Sequence, residues 1–143
     1  MKKISFEDKI FVAGARGMVG SSICRELKKY GYGNENKNGL ILAPTRNELD
    51  LSSFQSVNDW FNKNKPSVVI VCAAKVGGIL ANSQNPADFL LENLKIQTNL
   101  IETSWLQGVK RLLFLGSSCI YPKFSEQPIR EESLLSGYLE TTN

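Results

Sequence analysis

Short apolar runs alternate with helical periods along this chain. Residues 9–13 (KIFVA) are a brief apolar run ending at Gly14, which predicts a first strand. Between residues 17 and 30, Val19, Ile23 and Leu27 recur at every fourth position, one apolar stripe on a helix, and Gly31-Tyr32-Gly33 stops it. A polar loop at 34–39 (NENKNG) leads to a second strand at 40–43, closed by Pro44. Ser52 or Ser53 caps the next helix, whose expected inner face is Phe54, Val57 and Phe61, with Trp60 alongside. Pro66 ends that unit. Residues 68–74 (VVIVCAA) are apolar throughout, as a parallel strand covered on both faces should be.

Asn85-Pro86 opens a long helix reaching about residue 107, with Pro86 in the first turn where its missing N–H costs nothing. It carries two apolar stripes: Leu90, Leu94, Ile101 and Trp105, and Phe89, Ile96 and Leu100. Such a helix needs two partners, the sheet and another helix. Residues 111–115 (RLLFL) predict a fourth strand, and beyond Tyr121-Pro122 the chain turns polar and irregular. The order βαβαβαβ implies the α/β class, a doubly wound parallel sheet of Rossmann type with helices on both faces. The expected strand order is 3-2-1-4.

Composition narrows this little. The 143 residues suffice for one domain with one sizeable core, and 42% hydrophobic with 22% charged residues is ordinary for a soluble protein. The net charge of +3 comes from scattered residues. No cluster reads as a nucleic-acid face, so no nucleic-acid partner is expected. The longest apolar run is too short to span a bilayer, and MKKISFEDKIFVAG lacks the apolar core of a leader; no membrane partner and a cytoplasmic location are expected. The three cysteines are widely spaced, which argues against a disulfide framework or a zinc site, and no metal is expected. With no histidine, the commonest general base is missing.

The chemistry begins at Gly14-Ala15-Arg16-Gly17-Met18-Val19-Gly20, a GxxGxxG between the first strand and the first helix. Gly14 permits the tight turn, Gly17 leaves room for a pyrophosphate, and Gly20 lets the helix pack close to the sheet. The helix start offers free N–H groups and the positive end of its dipole to phosphates. Strand 2 discriminates between dinucleotides. An acid at its end bonds a ribose 2′-hydroxyl, whereas arginine attracts a 2′-phosphate. Here the end reads Leu42-Ala43-Pro44-Thr45-Arg46-Asn47-Glu48-Leu49, without an acid at the strand end, and Arg16 and Arg46 can both act as charge-assisted donors. NADP is the expected cofactor. The alternative is that Arg46 is a solvated loop residue and Glu48 binds the ribose. Asp50-Leu51 flanks the expected adenine pocket, or Asp50 is a helix cap.

At the carboxyl ends of the later strands lie Ala73-Ala74-Lys75-Val76-Gly77-Gly78 and Gly116-Ser117-Ser118-Cys119-Ile120-Tyr121-Pro122. Small residues there admit the ribose and nicotinamide of a cofactor. Serine hydroxyls can donate to a carbonyl, and a thiol can exchange a proton. Ser117 also fits a serine satisfying turn backbone, and Cys119 a plain apolar filler.

The segments AGARGMVG, AAKVGGILAN and LLFLGSSCIYPK together resemble the GDP-L-fucose synthases, extended short-chain dehydrogenases/reductases. The first segment is general to the superfamily; the other two, GSSCIYP above all, are more specific. The resemblance spans nearly the whole chain. It implies an enzyme that epimerises and then reduces GDP-4-keto-6-deoxy-mannose with NADPH. By position, residues 14–20 would bind pyrophosphate, residues 45–49 would face the adenosine ribose and its phosphate, and Ala73, Ala74, Gly116 and Ser118 would line the cofactor. Ser117 would hydrogen-bond the 4-keto oxygen and Cys119 would be one of two epimerising acid/base groups. The superfamily's Tyr-x-x-x-Lys pair and the family's second acid/base, a histidine, have no counterpart here. The expectation is therefore a dinucleotide-binding domain over 1–143, the N-terminal part of a longer enzyme, truncated before the Tyr-Lys helix and without its substrate domain. Such a piece should be inactive alone. It should expose strand 4 and one stripe of the long helix, and that helix makes a homodimer plausible.

Overall fold

The computed structural model describes residues 4–141; residues 1–3, read above as part of the chain start, and Thr142-Asn143 lie outside the described residues. The elements are β1 (Lys9–Ala13), α1 (Met18–Lys29), β2 (Leu40–Leu42), α2 (Phe54–Asn64), β3 (Val68–Val71), α3 (Ile79–Gln84), α4 (Pro86–Leu106) and β4 (Arg111–Phe114), with three short 3-10 turns. All four strands pair in parallel. The α/β doubly wound class expected from the periodicity is thus the observed one; α3 went unread in the sequence.

The strand order is corrected. The sheet runs β2-β1-β3-β4, not 3-2-1-4. The reason is burial. β3 (VVIV) is buried at all four positions and needs strands on both sides, whereas β2 (LIL) is only half-buried and suits an edge. β3 therefore takes the free side of β1, where four residues pair, Ile10 with Val68 through Ala13 with Val71.

Alternation along β1 and β3 sorts the core into two faces. Phe11, Ala13, Val69 and Val71 meet Val57 and Phe61 of α2 and Ile96 and Leu100 of α4. Ile10, Val12, Val68 and Ile70 meet Ile23, Cys24 and Leu27 of α1. Two details of the expected packing change, while the expected exposure of one stripe of α4 is observed. Phe54 is exposed, so α2 uses Val57, Phe61 and the half-buried Trp60, whose ring lies 4.7 Å from that of Phe11. Val19 is exposed, so the stripe of α1 begins at Ile23. On α4, only the Ile96–Leu100 side is covered, by the sheet and α2 together; Leu90, Leu94, Ile101 and Trp105 remain exposed. Ser53, not Ser52, caps α2, accepting the Ser56 N–H at 3.3 Å.

At the amino ends of the strands, nearly buried Asp8 gathers three of them. Its carboxylate accepts the Ser67 hydroxyl at 2.7 Å, the Lys110 ammonium at 3.2 Å and the Ser5 N–H at 2.7 Å. The opposite, carboxyl edge is left to the loops.

Candidate functional site

The parallel sheet brings the carboxyl ends of β1, β2, β3 and β4 to one edge, where ligands of open α/β sheets bind. Gly14 leaves β1 with φ of +79°, and a Cβ on it would lie 2.8 Å from the Ala73 backbone nitrogen. The turn is thus pressed against the end of β3, and only glycine fits. The Gly17 N–H closes the turn on the Gly14 carbonyl at 2.9 Å. Gly20 is needed for a different contact from the one expected. A Cβ there would fall on the Gly14 carbonyl, so at this position the helix packs on its own loop, while Ile23, Cys24 and Leu27 further along meet the sheet. No side chain caps the start of α1, and Arg16, Met18 and Val19 surround it as exposed residues. Its first-turn N–H groups therefore face outward beside a positive dipole end. Ala15 packs partly on the α1 side of the sheet. A turn held this close to β3, with an uncapped helix start and an adjacent arginine, fits a pyrophosphate-bearing cofactor.

The loop after β2 is more committed than its sequence suggests. Glu48 accepts the Thr45 N–H at 2.7 Å, and its own N–H donates to the Thr45 hydroxyl at 3.3 Å. The Thr45 N–H, then the Thr45 hydroxyl and the nearby Arg16 charge, hold the Glu48 carboxyl below the usual range. One Glu48 oxygen thus serves the turn rather than standing free for a ribose. Asp50 accepts both the N–H and the hydroxyl of Ser52, at 2.9 and 2.7 Å, and these bonds, then the Arg46 charge, lower its pKa. It shapes the turn before α2 without capping the helix. Leu49 is buried in the core, so its side chain is not free for a ligand, and the half-buried Leu51 packs against the same core. Asn47 is exposed.

Arg46 is 84% exposed and reaches Glu92 of α4, with Nη2 3.1 Å from Oε1. The other Glu92 oxygen lies 2.9 Å from the Lys75 ammonium. The Lys75 bond and charge, with that of Arg46, hold the Glu92 carboxyl low. Beside it, Asn93 grips the Lys75 backbone from both sides, accepting its N–H at 2.8 Å and donating to its carbonyl at 2.9 Å. Glu92 and Asn93 were not singled out from the sequence. Their partners lie 17 to 46 residues away, where no local pattern points.

After β3, Ala73 lies against the core and Gly14, while Ala74 is exposed. After β4, Gly116 has open space where a Cβ would stand. Ser117, Ser118 and Cys119 are all exposed, and the Ser117 hydroxyl accepts the Cys119 N–H at 3.2 Å, opening the 3-10 turn Ser118–Ile120. Ser117 therefore does satisfy turn backbone. Because it acts as acceptor there, its own proton stays available for another oxygen. Among the described residues no group of His, Cys, Asp and Glu could hold a metal ion, and no helix is long and apolar enough to cross a membrane.

Comparison with known proteins finds relatives along nearly the whole chain. GDP-L-fucose synthase 1 of Arabidopsis thaliana is 54% identical over 135 residues, 94% of this chain and 40% of the relative. GDP-L-fucose synthase of Escherichia coli is 45% identical over 137 residues, 96% of this chain and 41% of the relative. A GDP-mannoheptose C4 reductase from Campylobacter jejuni, solved with NADP bound, superimposes with a TM-score of 0.86 at 38% identity, over 98% of this chain and 42% of that one. The chain thus spans about two-fifths of the length of these relatives. The model of the NAD dependent epimerase/dehydratase family matches residues 10–143, and the chain belongs to that family.

Proposed function

We propose that this chain is the NADP-binding, N-terminal part of a GDP-L-fucose synthase. Such an enzyme epimerises GDP-4-keto-6-deoxy-mannose and then reduces it. The observation that carries this reading is the Ser117-Ser118-Cys119 turn at the carboxyl end of β4, on the same sheet edge as the glycine turn. The similarity to the named fucose synthases and to an NADP-bound reductase supports it.

Residues 14–20 would hold the pyrophosphate, with Ala73, Ala74, Gly116 and Ser118 beside the rest of the cofactor. Arg16 and Arg46, with Thr45, Asn47 and Glu48 on the same loop, would face the adenosine ribose and its 2′-phosphate. Bound NADPH supplies a hydride. The chain's own groups manage the ketone. The Ser117 proton, free while the oxygen accepts the Cys119 N–H, hydrogen-bonds the 4-keto oxygen and draws charge onto it. That acidifies the hydrogens on the flanking carbons. Acting as base, the exposed Cys119 sulfur would take the proton from one face of one of them, and delivery of a proton to the opposite face inverts that centre. A second acid/base histidine and a Tyr-x-x-x-Lys pair are not in these 143 residues, so the isolated chain should bind cofactor without turning over. The substrate partner is a GDP-sugar, and the assembly a homodimer acting in the cytoplasm.

The test is a fluorescence titration with NADPH and NADH, followed by assay with GDP-4-keto-6-deoxy-mannose in deuterated water. NADPH should bind more tightly, and the isolated chain should consume none of it. In the full-length enzyme, Cys119→Ser should slow deuterium entry beside the ketone. Tighter NADH binding, or turnover by the isolated chain, would overturn the reading.

A further inference from the structure

The ion cluster above the sheet edge has an unequal build. Lys75 and Glu92 are the better-held pair, 33% and 26% exposed, and Lys75 is fixed further by the Asn93 grip on its backbone. Arg46 is the loose member, almost entirely in solvent, held at the far oxygen of the same carboxylate. One anion thus serves two cations from two different loops, and only Arg46 stands largely in solvent.

From this geometry we propose that Glu92 is a positioning residue that sets the preference for a 2′-phosphate by competing for Arg46. This rests on the NADP reading above. A 2′-phosphate approaching the β2 loop meets a guanidinium already 3.1 Å from a carboxylate. Arg46 must be shared or surrendered, and the fixed Glu92 charge repels the phosphate. Lys75 lowers the cost of surrender, because Glu92 keeps an ammonium at 2.9 Å when Arg46 swings away. The pair Lys75–Glu92 therefore tunes how freely Arg46 can be drawn to a phosphate. Asp50, the other carboxylate near Arg46, is already bonded twice to Ser52 and is the weaker competitor.

The opposed signs provide the test. Affinities for 2′,5′-ADP and 5′-AMP are measured by calorimetry on the full chain, and their ratio isolates the 2′-phosphate. Glu92→Gln should raise the ratio roughly two- to fivefold, the scale of an exposed ion pair, with 5′-AMP affinity unchanged. Lys75→Met should lower the ratio, but not when Glu92→Gln is also present. Arg46→Gln added to Glu92→Gln should erase the gain. An unchanged or falling ratio in Glu92→Gln, or a gain that survives loss of Arg46, overturns the proposal. A wild-type chain that prefers NADH removes the NADP reading and this inference together. A wild type that prefers NADPH, with an unresponsive Glu92→Gln, removes only the inference.

Discussion

The two sides of the sheet edge are built to different standards. On the β1 side, the turn, the helix start and the end of β3 touch so closely that Gly14 and Gly20 have no room for a methyl group. β1 from Ile10 onward and the whole of β3 are buried. On the β4 side, Leu112, Leu113, Phe114 and Leu115 are between 37% and 52% exposed, and the turn carrying Ser117 and Cys119 has solvent around it. The difference is one of self-sufficiency. The glycine-turn side is closed by contacts among its own residues. The β4 side presents Ser117 and Cys119 beside a strand with one flank uncovered among the described residues, where apolar groups favour association.

Paired substitutions can break or sharpen this contrast. The largest difference should come from the cores. Leu100→Ala, at a fully buried position, should cost about 2–5 kcal/mol in urea unfolding, against under about 1 kcal/mol for the half-exposed Leu113→Ala. Equal costs would mean that β4 is covered in solution. Next come the glycines. Gly20→Ala should cost about 3 kcal/mol by driving a methyl into the Gly14 carbonyl, while Gly116→Ala, facing open space, should stay within about 0.5 kcal/mol. The smallest effect should appear in acid. Burial alone would raise the Asp8 pKa, but its bonds to Ser67, Ser5 and Lys110 outweigh this and lower it. Its share of stability is then complete above the ordinary value of 3.8 and lost as pH falls through the folded value. Asp8→Asn should therefore flatten the stability curve below about pH 4 without changing either side of the carboxyl edge.

Local periodicity made most of the fold legible. β1, α1, α2, β3, α4 and β4 all lie within a few residues of where the apolar runs and breakers put them. Strand order was not legible by analogy, nor from apolarity alone: VVIV is buried in the middle of the sheet, whereas LIL, equally apolar, lies half-buried at an edge. The glycine turn could be read because its constraint is local. The Glu92–Arg46–Lys75 cluster could not, because an acid on an amphipathic helix looks the same whether it meets water or two distant cations. Leu49 misled for the converse reason. It sits in a polar stretch and reads as loop, but packs with Phe61 and Leu100 in the core.

The Asn93 grip on Lys75 has a consequence for observing this molecule. Loop amides ordinarily trade their protons with solvent quickly, because nothing holds them. The Lys75 N–H is instead held at 2.8 Å by a side chain whose other end is tied to the same residue's carbonyl. It should exchange with deuterium at a pace nearer to that of a strand than to that of its neighbours. That slow proton would report the integrity of the loop between the glycine turn and the β4 turn.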